Sequence, residues 1–322
     1  MASPQTTTEP SLARFLAEHY GTTKARFPGE GRRKWRLRVA ELFWGLSSEQ
    51  KGAYLASISQ NPVLPESVED ADFTTDDDPL DAISDDAPGV GLLLRTDYSD
   101  EGAWQAFFAK LQEAEAEFAS EPAPSGADAA PGTRREGPSS AQAAASSSTD
   151  AEGDTAMDVE DEDAEADAEA DDGDDGAPIF YVINASPAER AHFTGISNLA
   201  ALRLLNDVDA RRAPAPPQGT KRIRPPNRLV DHDGWQEVYV GKTVWVYDAR
   251  SNADQCVRLV SPKSAAMYGT ATADSWRARV SHICELQVNM ASGALTIDFG
   301  GLDRWDYGER VRNLEEAVRP VS

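Results

Sequence analysis

The sequence predicts an α+β protein of several parts: a small helical N-terminal module, then a mixed α/β domain interrupted by a long disordered acidic insert. Three observations predict it. Apolar residues recur at helical spacing through residues 11–60, two strand–helix patterns flank a low-complexity stretch, and the charge is segregated along the chain. Of 322 residues, 31 are Lys or Arg and 55 are Asp or Glu, a formal net charge of −24. Residues 1–60 hold 9 basic and 5 acidic groups (+4), residues 61–178 hold 4 and 34 (−30), and residues 179–322 hold 18 and 16 (+2). A middle third that repels itself this strongly buries too little apolar surface to offset the entropy of ordering.

The expected divisions are 1–62 for the helical module, 63–87 for an acidic linker, 88–118 for the first strand–helix part, 119–177 for the insert and 178–322 for the remainder. In the module, Leu12, Phe15, Leu16 and Tyr20 mark a first helix that weakens at Gly21-Thr22-Thr23. Trp35, Val39, Leu42, Phe43 and Leu46 form the buried stripe of a second. The third opens on a capping box, Ser47 with Gln50, and buries Tyr54, Leu55 and Ile58. Fifty residues is near the lower limit for an independent core, so marginal stability is expected of this module.

Pro62, Pro65 and Pro79 break the acidic linker. GVGLLLRTDYSDEGAW then reads as a buried strand, Val90 to Arg95, a turn, and a helix capped by Ser99 that buries Trp104, Phe107, Phe108, Leu111 and Phe118. After the Ala/Ser/Pro/Gly and acidic insert, PIFYVIN is a strand, and SPAE starts a helical stretch with Ser186 as cap, Pro187 at the first position and Glu189 closing the box. A Pro-rich basic spacer, APAPPQGTKRIRPPNR, precedes the strand pattern WQEVYVGKTVWVYDA around a turn at Gly241. WRARVSHICELQVNM alternates as a strand with Trp276, Ala278, Val280, His282, Cys284, Leu286 and Val288 on one face, and ALTIDFGG returns as a hairpin. RVRNLEEAV closes as a helix.

Several function classes receive no support. No apolar run approaches the roughly 20 residues that span a bilayer, and MASPQTTTEP lacks a signal-peptide pattern, so a soluble intracellular protein without membrane partners is expected. Cys256 and Cys284 alone supply neither a disulfide framework nor a four-Cys zinc site. Gly-rich phosphate loops, catalytic-triad spacings and metal motifs are lacking, and no cofactor, metal or catalytic residue is assigned. An enzymatic alternative, or an α/β domain binding an unknown substrate, rests on Asp97, Asp100, His232 or His282 as acid–base groups. Asp97 and Asp100 suit a turn and a cap better than acid–base chemistry. His282 with Cys284, or His232 in its polar loop, is a weak metal or nucleophile pattern.

FLAEHYGTTKARFP, a basic helix and ELFWGLSSEQKGAY together resemble the high-mobility-group (HMG) box over about 50 residues, in the Phe15-to-Pro28 spacing, Phe43, and LSSEQK leading to Tyr54. The resemblance implies a duplex-DNA contact in the minor groove, with Arg32, Arg33, Lys34, Arg36 and Arg38 facing phosphates. The basic arm usual before such a box is replaced here by TTTEPS. A helical bundle that contacts protein fits the same residues. An HMG-like box beside an acidic run further implies histones or other basic proteins as partners of the acidic tract. RTDYSDEGAW with ELQVNM and IDFGG resembles a family of uncharacterised proteins carrying an RTDFSD-type strand–turn–helix, which implies no activity. WVYDA, WRARV and IDFGGLDRWDY are similar to the small barrels of chromatin readers, which implies an aromatic cage from Trp245, Tyr247, Trp276, Trp305 and Tyr307, with Phe299 nearby. Strand aromatics also serve as core. The clusters GRRKWRLR and KRIRPPNR suit nuclear import, so the expected place is the nucleus or nucleus and cytoplasm. The whole reads as a non-enzymatic, chromatin-associated nuclear interaction protein, with weak non-sequence-specific DNA contact by the N-terminal module modulated by the acidic tract.

Overall fold

A computed structural model describes residues 12–60, 73–84, 90–120, 178–264, 267–297, 299 and 306–321. The acidic insert from residue 121, the linker at 61–72 and Trp305 lie outside the described residues. Three helices come first: α1 (Ala13–Arg26), α2 (Arg32–Gly45) and α3 (Ser48–Gln60). α1 runs through Gly21 because Tyr20 and Thr23 are buried on one face and the Thr23 hydroxyl donates to the His19 carbonyl at 3.0 Å. The capping box of α3 forms in both directions, Ser47 N to Gln50 Oε1 at 2.8 Å and Gln50 N to Ser47 Oγ at 3.2 Å. Tyr54 meets the Phe15 ring edge-on at 5.4 Å, whereas the side chains of Leu55 and Ile58 lie outside the described residues.

A short helix α4 (Asp81–Ser84) precedes β1 (Gly91–Arg95) and α5 (Glu101–Ser120); then follow β2 (Phe180–Ile183), α6 (Arg190–Phe193), α7 (Asn198–Leu205), β3 (Asp207–Arg212), β4 (Trp235–Val240) and β5 (Thr243–Tyr247). α8 (Ser251–Asp254), β6 (Cys256–Val260), β7 (Ser275–Arg279), α9 (Ile283–Ala291) and α10 (Tyr307–Ala317) complete the order. β2, β1 and β5 are parallel neighbours and β5, β6 and β7 are antiparallel, giving a five-stranded mixed sheet in the order β2-β1-β5-β6-β7. Gly91 to Leu94 pair with Phe180 to Ile183, so strands from the two sides of the acidic insert are hydrogen-bonded neighbours.

Alternation in these strands splits the core in two. Leu93, Trp245, Tyr247, Val257 and Leu259 face α5 and α9, where Trp104, Phe107, Leu111 and Ile283 cover them. Leu92, Leu94, Val244, Val246 and Val260 face α7 and the ribbon formed by β3 and β4, and this cluster runs on without a break through Phe15, Leu16, Trp35, Val39 and Phe43 of the N-terminal helices. Phe43 meets Trp235 of β4 edge-on at 5.9 Å. The N-terminal helices and the sheet therefore share one core.

Several expectations are corrected. Asp100, not Ser99, caps α5, accepting from Ala103 N at 2.8 Å, while Ser99 donates to Asp97. The pattern WRARVSHICELQVNM is a strand only as far as Arg279, because Ile283, Gln287 and Met290 also carry a helical stripe and form α9. No ALTIDFGG hairpin forms among the described residues, since the segment that would precede its turn, Ile283–Ala291, is helical. β4 and β5 belong to different sheets; Gly241, at φ +150°, makes the switch, and a Cβ there would lie 2.2 Å from Asn206 Oδ1. β3 was not foreseen, since DVDARR carries charge at most positions and buries only Val208 and Ala210. Among the described residues no helix is long and apolar enough to cross a membrane.

Candidate functional site

The basic helix presents its cations to carboxylates of its own chain. Arg32 Nη2 donates to Asp81 Oδ1 at 2.8 Å and Arg33 Nη1 to Asp78 Oδ1 at 2.9 Å. Arg36 donates to the Phe73 carbonyl at 2.9 Å and stands 3.5 Å from Asp207. Arg38 grips Glu30 through two bonds of 2.6 Å while stacking 3.9 Å over Phe27. The Arg38 fork holds Glu30 below its ordinary pKa against a smaller opposing effect of burial. Lys34 is 45% exposed and 3.5 Å from Glu30. Of the five residues expected to face phosphates, Arg32 and Arg33 are buried, Arg36 and Arg38 hold internal partners, and Lys34 is open to solvent.

Among the described residues the expected cage aromatics do not gather around an opening, and Trp305 lies outside them. Trp245 is fully buried, with Nε1 donating to Gln287 Oε1 at 2.8 Å. Tyr247 is also buried, packs edge-on to Trp104 at 4.9 Å and donates to Asn252 Oδ1 at 2.7 Å. Trp276 sits opposite Leu259 and joins the same core, Phe299 is buried there too, and Tyr307 is 73% exposed at the start of α10. Trp245, Tyr247 and Trp276 are core under α5 and α9, the commoner use of strand aromatics.

The acid–base candidates also have separate places. Burial raises the Asp97 pKa, but bonds from Ser99 and Asn252 outweigh it and hold the carboxyl below its ordinary value, as an Asx turn requires. His232 lies in the loop before β4, 3.2 Å from Lys51 Nζ of α3. His282 is exposed after β7, at the far edge of the sheet from β1 and β2. Cys284 is buried on α9, and that burial, helped by Glu115, pushes its thiol up to about 12. Among the described residues no three His, Cys, Asp or Glu converge as a metal site.

A different place has the form of a binding site. α2 and α7, with Asp78-Pro79-Leu80 and the turn after α10, line a cavity of about 550 Å³. That volume is typical of small-molecule sites. Leu37, Ile196, Ala200 and Leu204 give it an apolar floor. Its charged lining is Arg33, Lys34, Arg203 and Arg319 against Asp78 and Glu316, two cations in excess within a chain of net charge −24.

Arg203 is set among carboxylates: burial opposes its charge, but Tyr239, Glu237 and Glu316 together outweigh burial and hold its pKa above the ordinary value. Its Nε donates to Tyr239 Oη at 3.3 Å, but Nη2 stands 3.8 Å from Glu237, Nη1 stands 3.7 Å from Glu316, and Nη2 is buried with no hydrogen-bond acceptor. Glu316 divides its oxygens: Oε2 accepts from the Ser197 hydroxyl, which in turn caps α7, and Oε1 faces Arg203 at 3.7 Å. Tyr239 spends its own proton on Glu237 at 2.5 Å; burial first, then that carboxylate, holds the phenol far above its usual pKa. The sequence carried a signal for Arg203, one cation inside the apolar run NLAALRLL, but the helices that meet over it are distant in the chain. Comparison of the chain with protein-family models, with curated proteins and with solved structures finds no match.

Proposed function

We propose that this protein is a non-enzymatic binding protein of the nucleus, whose folded body holds a ligand between α2 and α7 and whose acidic tract engages basic proteins such as histones. The observation that carries the reading is the cavity, an apolar floor under an excess of positive charge with an under-bonded arginine in it. The candidate catalytic groups support it by their placement, since Asp97, Asp100 and His232 serve a turn, a cap and a contact with Lys51, and His282 stands exposed beyond β7. For the acidic tract the support is the charge of −30 on residues 61–178, a strong field for cationic tails. Duplex DNA is the weaker reading, because binding it would require Arg32, Arg33, Arg36 and Arg38 to exchange internal partners for phosphates.

Nuclear entry is assigned to the second basic cluster. GRRKWRLR is folded into α2, whereas Lys221 and Arg224 of KRIRPPNR are exposed, with Arg222 between them bound to the buried Asp231. Ala200→Trp fills the cavity and tests the binding reading directly. Small fragments screened by thermal shift are expected to stabilise the wild-type protein and to lose that effect in A200W. Fragments that stabilise both proteins equally, or neither, would overturn it.

A further inference from the structure

The cavity between α2 and α7 holds two opposing demands that one kind of ligand meets together. Its floor is apolar, so a small inorganic anion would leave that surface against water. Its charged lining is cationic in excess, so an apolar amine would meet like charge. A guanidinium has five N–H donors in a planar fork. Arg203 places one of them on a phenol at 3.3 Å and leaves a buried Nη2 without an acceptor, with both nearby carboxylates beyond hydrogen-bond reach at 3.7 and 3.8 Å. Nη2 is sealed beside Glu237, but the Nη1 edge, with Glu316 at 3.7 Å, can take an anionic acceptor entering from the cavity. Lys34 and the exposed Arg319 flank the opening from α2 and from the turn after α10.

We propose that this cavity binds a small apolar-tailed anion, a carboxylate or phosphate monoester, with its head on Arg203, Lys34 and Arg319 and its tail along Leu37, Ile196 and Leu204. The proposal rests on the binding reading above and adds the class of ligand. The head accepts hydrogen bonds from Arg203 without displacing Glu316, which stays on the Ser197 hydroxyl. The tail replaces water over the apolar floor, so affinity rises with chain length until the cavity is full.

The test is isothermal titration of the full chain with octanoate, octyl phosphate, octanol, octylamine and inorganic phosphate, each below its aggregation limit. Octanoate and octyl phosphate are expected to bind at one site, octanol at least tenfold more weakly, and octylamine and inorganic phosphate not measurably. Arg203→Gln is expected to weaken octanoate binding at least tenfold. Because Arg203 also contacts the buried Tyr239, the rim variants Lys34→Glu and Arg319→Glu supply a second measurement at side chains open to solvent, each expected to weaken octanoate severalfold with unchanged melting temperature. If octanol binds as tightly as octanoate, the anionic head is wrong and the binding reading stands. If none of the five probes binds, or if octanoate binds A200W as tightly as wild type, the anionic-ligand proposal fails. If fragments also fail the A200W comparison, the binding reading falls with it.

Discussion

Arg228 donates through Nη1 to Glu41 Oε1 at 3.1 Å across 187 residues of chain, and its Nε lies 3.0 Å from the buried Glu237. One guanidinium thus joins α2 to β4 at the back of the N-terminal helices. The same helix is held to β3 by Arg36, whose Nη2 reaches the Val208 carbonyl at 3.4 Å. Charge and apolar packing tie the first sixty residues into the sheet, so they do not behave as an independent module.

Arg228→Ala should therefore destabilise the whole protein. It strands Glu237, whose side chain is 2% exposed, as a buried carboxylate short of its nearest cation. Breaking such a pair costs about 3 kcal/mol. Urea unfolding followed by tryptophan fluorescence and by circular dichroism should give one shared transition, shifted to lower denaturant. Two separate transitions would show that the helices unfold on their own.

Asp78 gives a second expectation. Gly31, the N-cap of α2, has no side chain to offer, and Asp78 supplies the cap from outside by accepting from Arg33 N at 2.9 Å. A Cβ on Gly31 would lie 2.4 Å from Asp78 Oδ2, so the glycine makes room for this carboxylate. The other oxygen pairs with Arg33, the two side chains being 5% and 6% exposed. Asp78→Ala removes cap and ion pair together and should cost about 3 kcal/mol or more, with Asp78→Asn losing less. Equal, small losses in both variants would deny Asp78 this role.

What the sequence made legible was local. Helical stripes, the Ser47–Gln50 box and the strands on both sides of the acidic insert were all readable, because each depends on residues within a turn or two of one another. The partners of the cations were not readable. Arg32, Arg33 and Arg36 look like a phosphate-binding row until Asp78, Asp81 and Asp207 arrive from 45 or more residues away. Segment 73–84 read as linker for the same reason, since its acids gain meaning only against α1 and α2. In 280–291, alternation and helical spacing coincide, and the edge position of β7 decided for the helix. The cavity drew on four separated segments, which no local pattern could join.

Gly91→Ala probes the sheet. A Cβ at Gly91 would stand 2.8 Å from Gln287 Cδ and 3.0 Å from the Phe180 ring. Gln287 is fully buried and fixed at both ends, accepting from Trp245 Nε1 and donating to the Val90 carbonyl at 3.1 Å, so it has little freedom to retreat. Overpacking here should cost about 1–3 kcal/mol and should perturb the Trp245 signal in near-ultraviolet circular dichroism. An unchanged melting temperature would mean that Gln287 shifts without loss.

His232 supplies the pH dependence. Lys51 Nζ, buried at 1% exposure, lies 3.2 Å from His232 Nδ1 and 3.2 Å from the Trp44 carbonyl, so the ring nitrogen serves as acceptor and the imidazole is neutral. Burial first, then the Lys51 charge, holds His232 below its ordinary pKa, with Asp233 pulling the other way and Arg228 adding to the depression. A base whose folded pKa lies below its unfolded value binds fewer protons when folded. Its contribution to stability is complete above about pH 6.5, the unfolded value, and is lost as pH falls through the lower, folded value. Protonation would then set two cations against each other where α3 meets the loop before β4. Wild type should lose more stability than His232→Gln between about pH 7.5 and pH 5, because glutamine keeps an acceptor for Lys51 and cannot titrate. Every other residue is the same in both proteins, so the comparison isolates this one. Parallel stability curves over that range would remove His232 from the acid response.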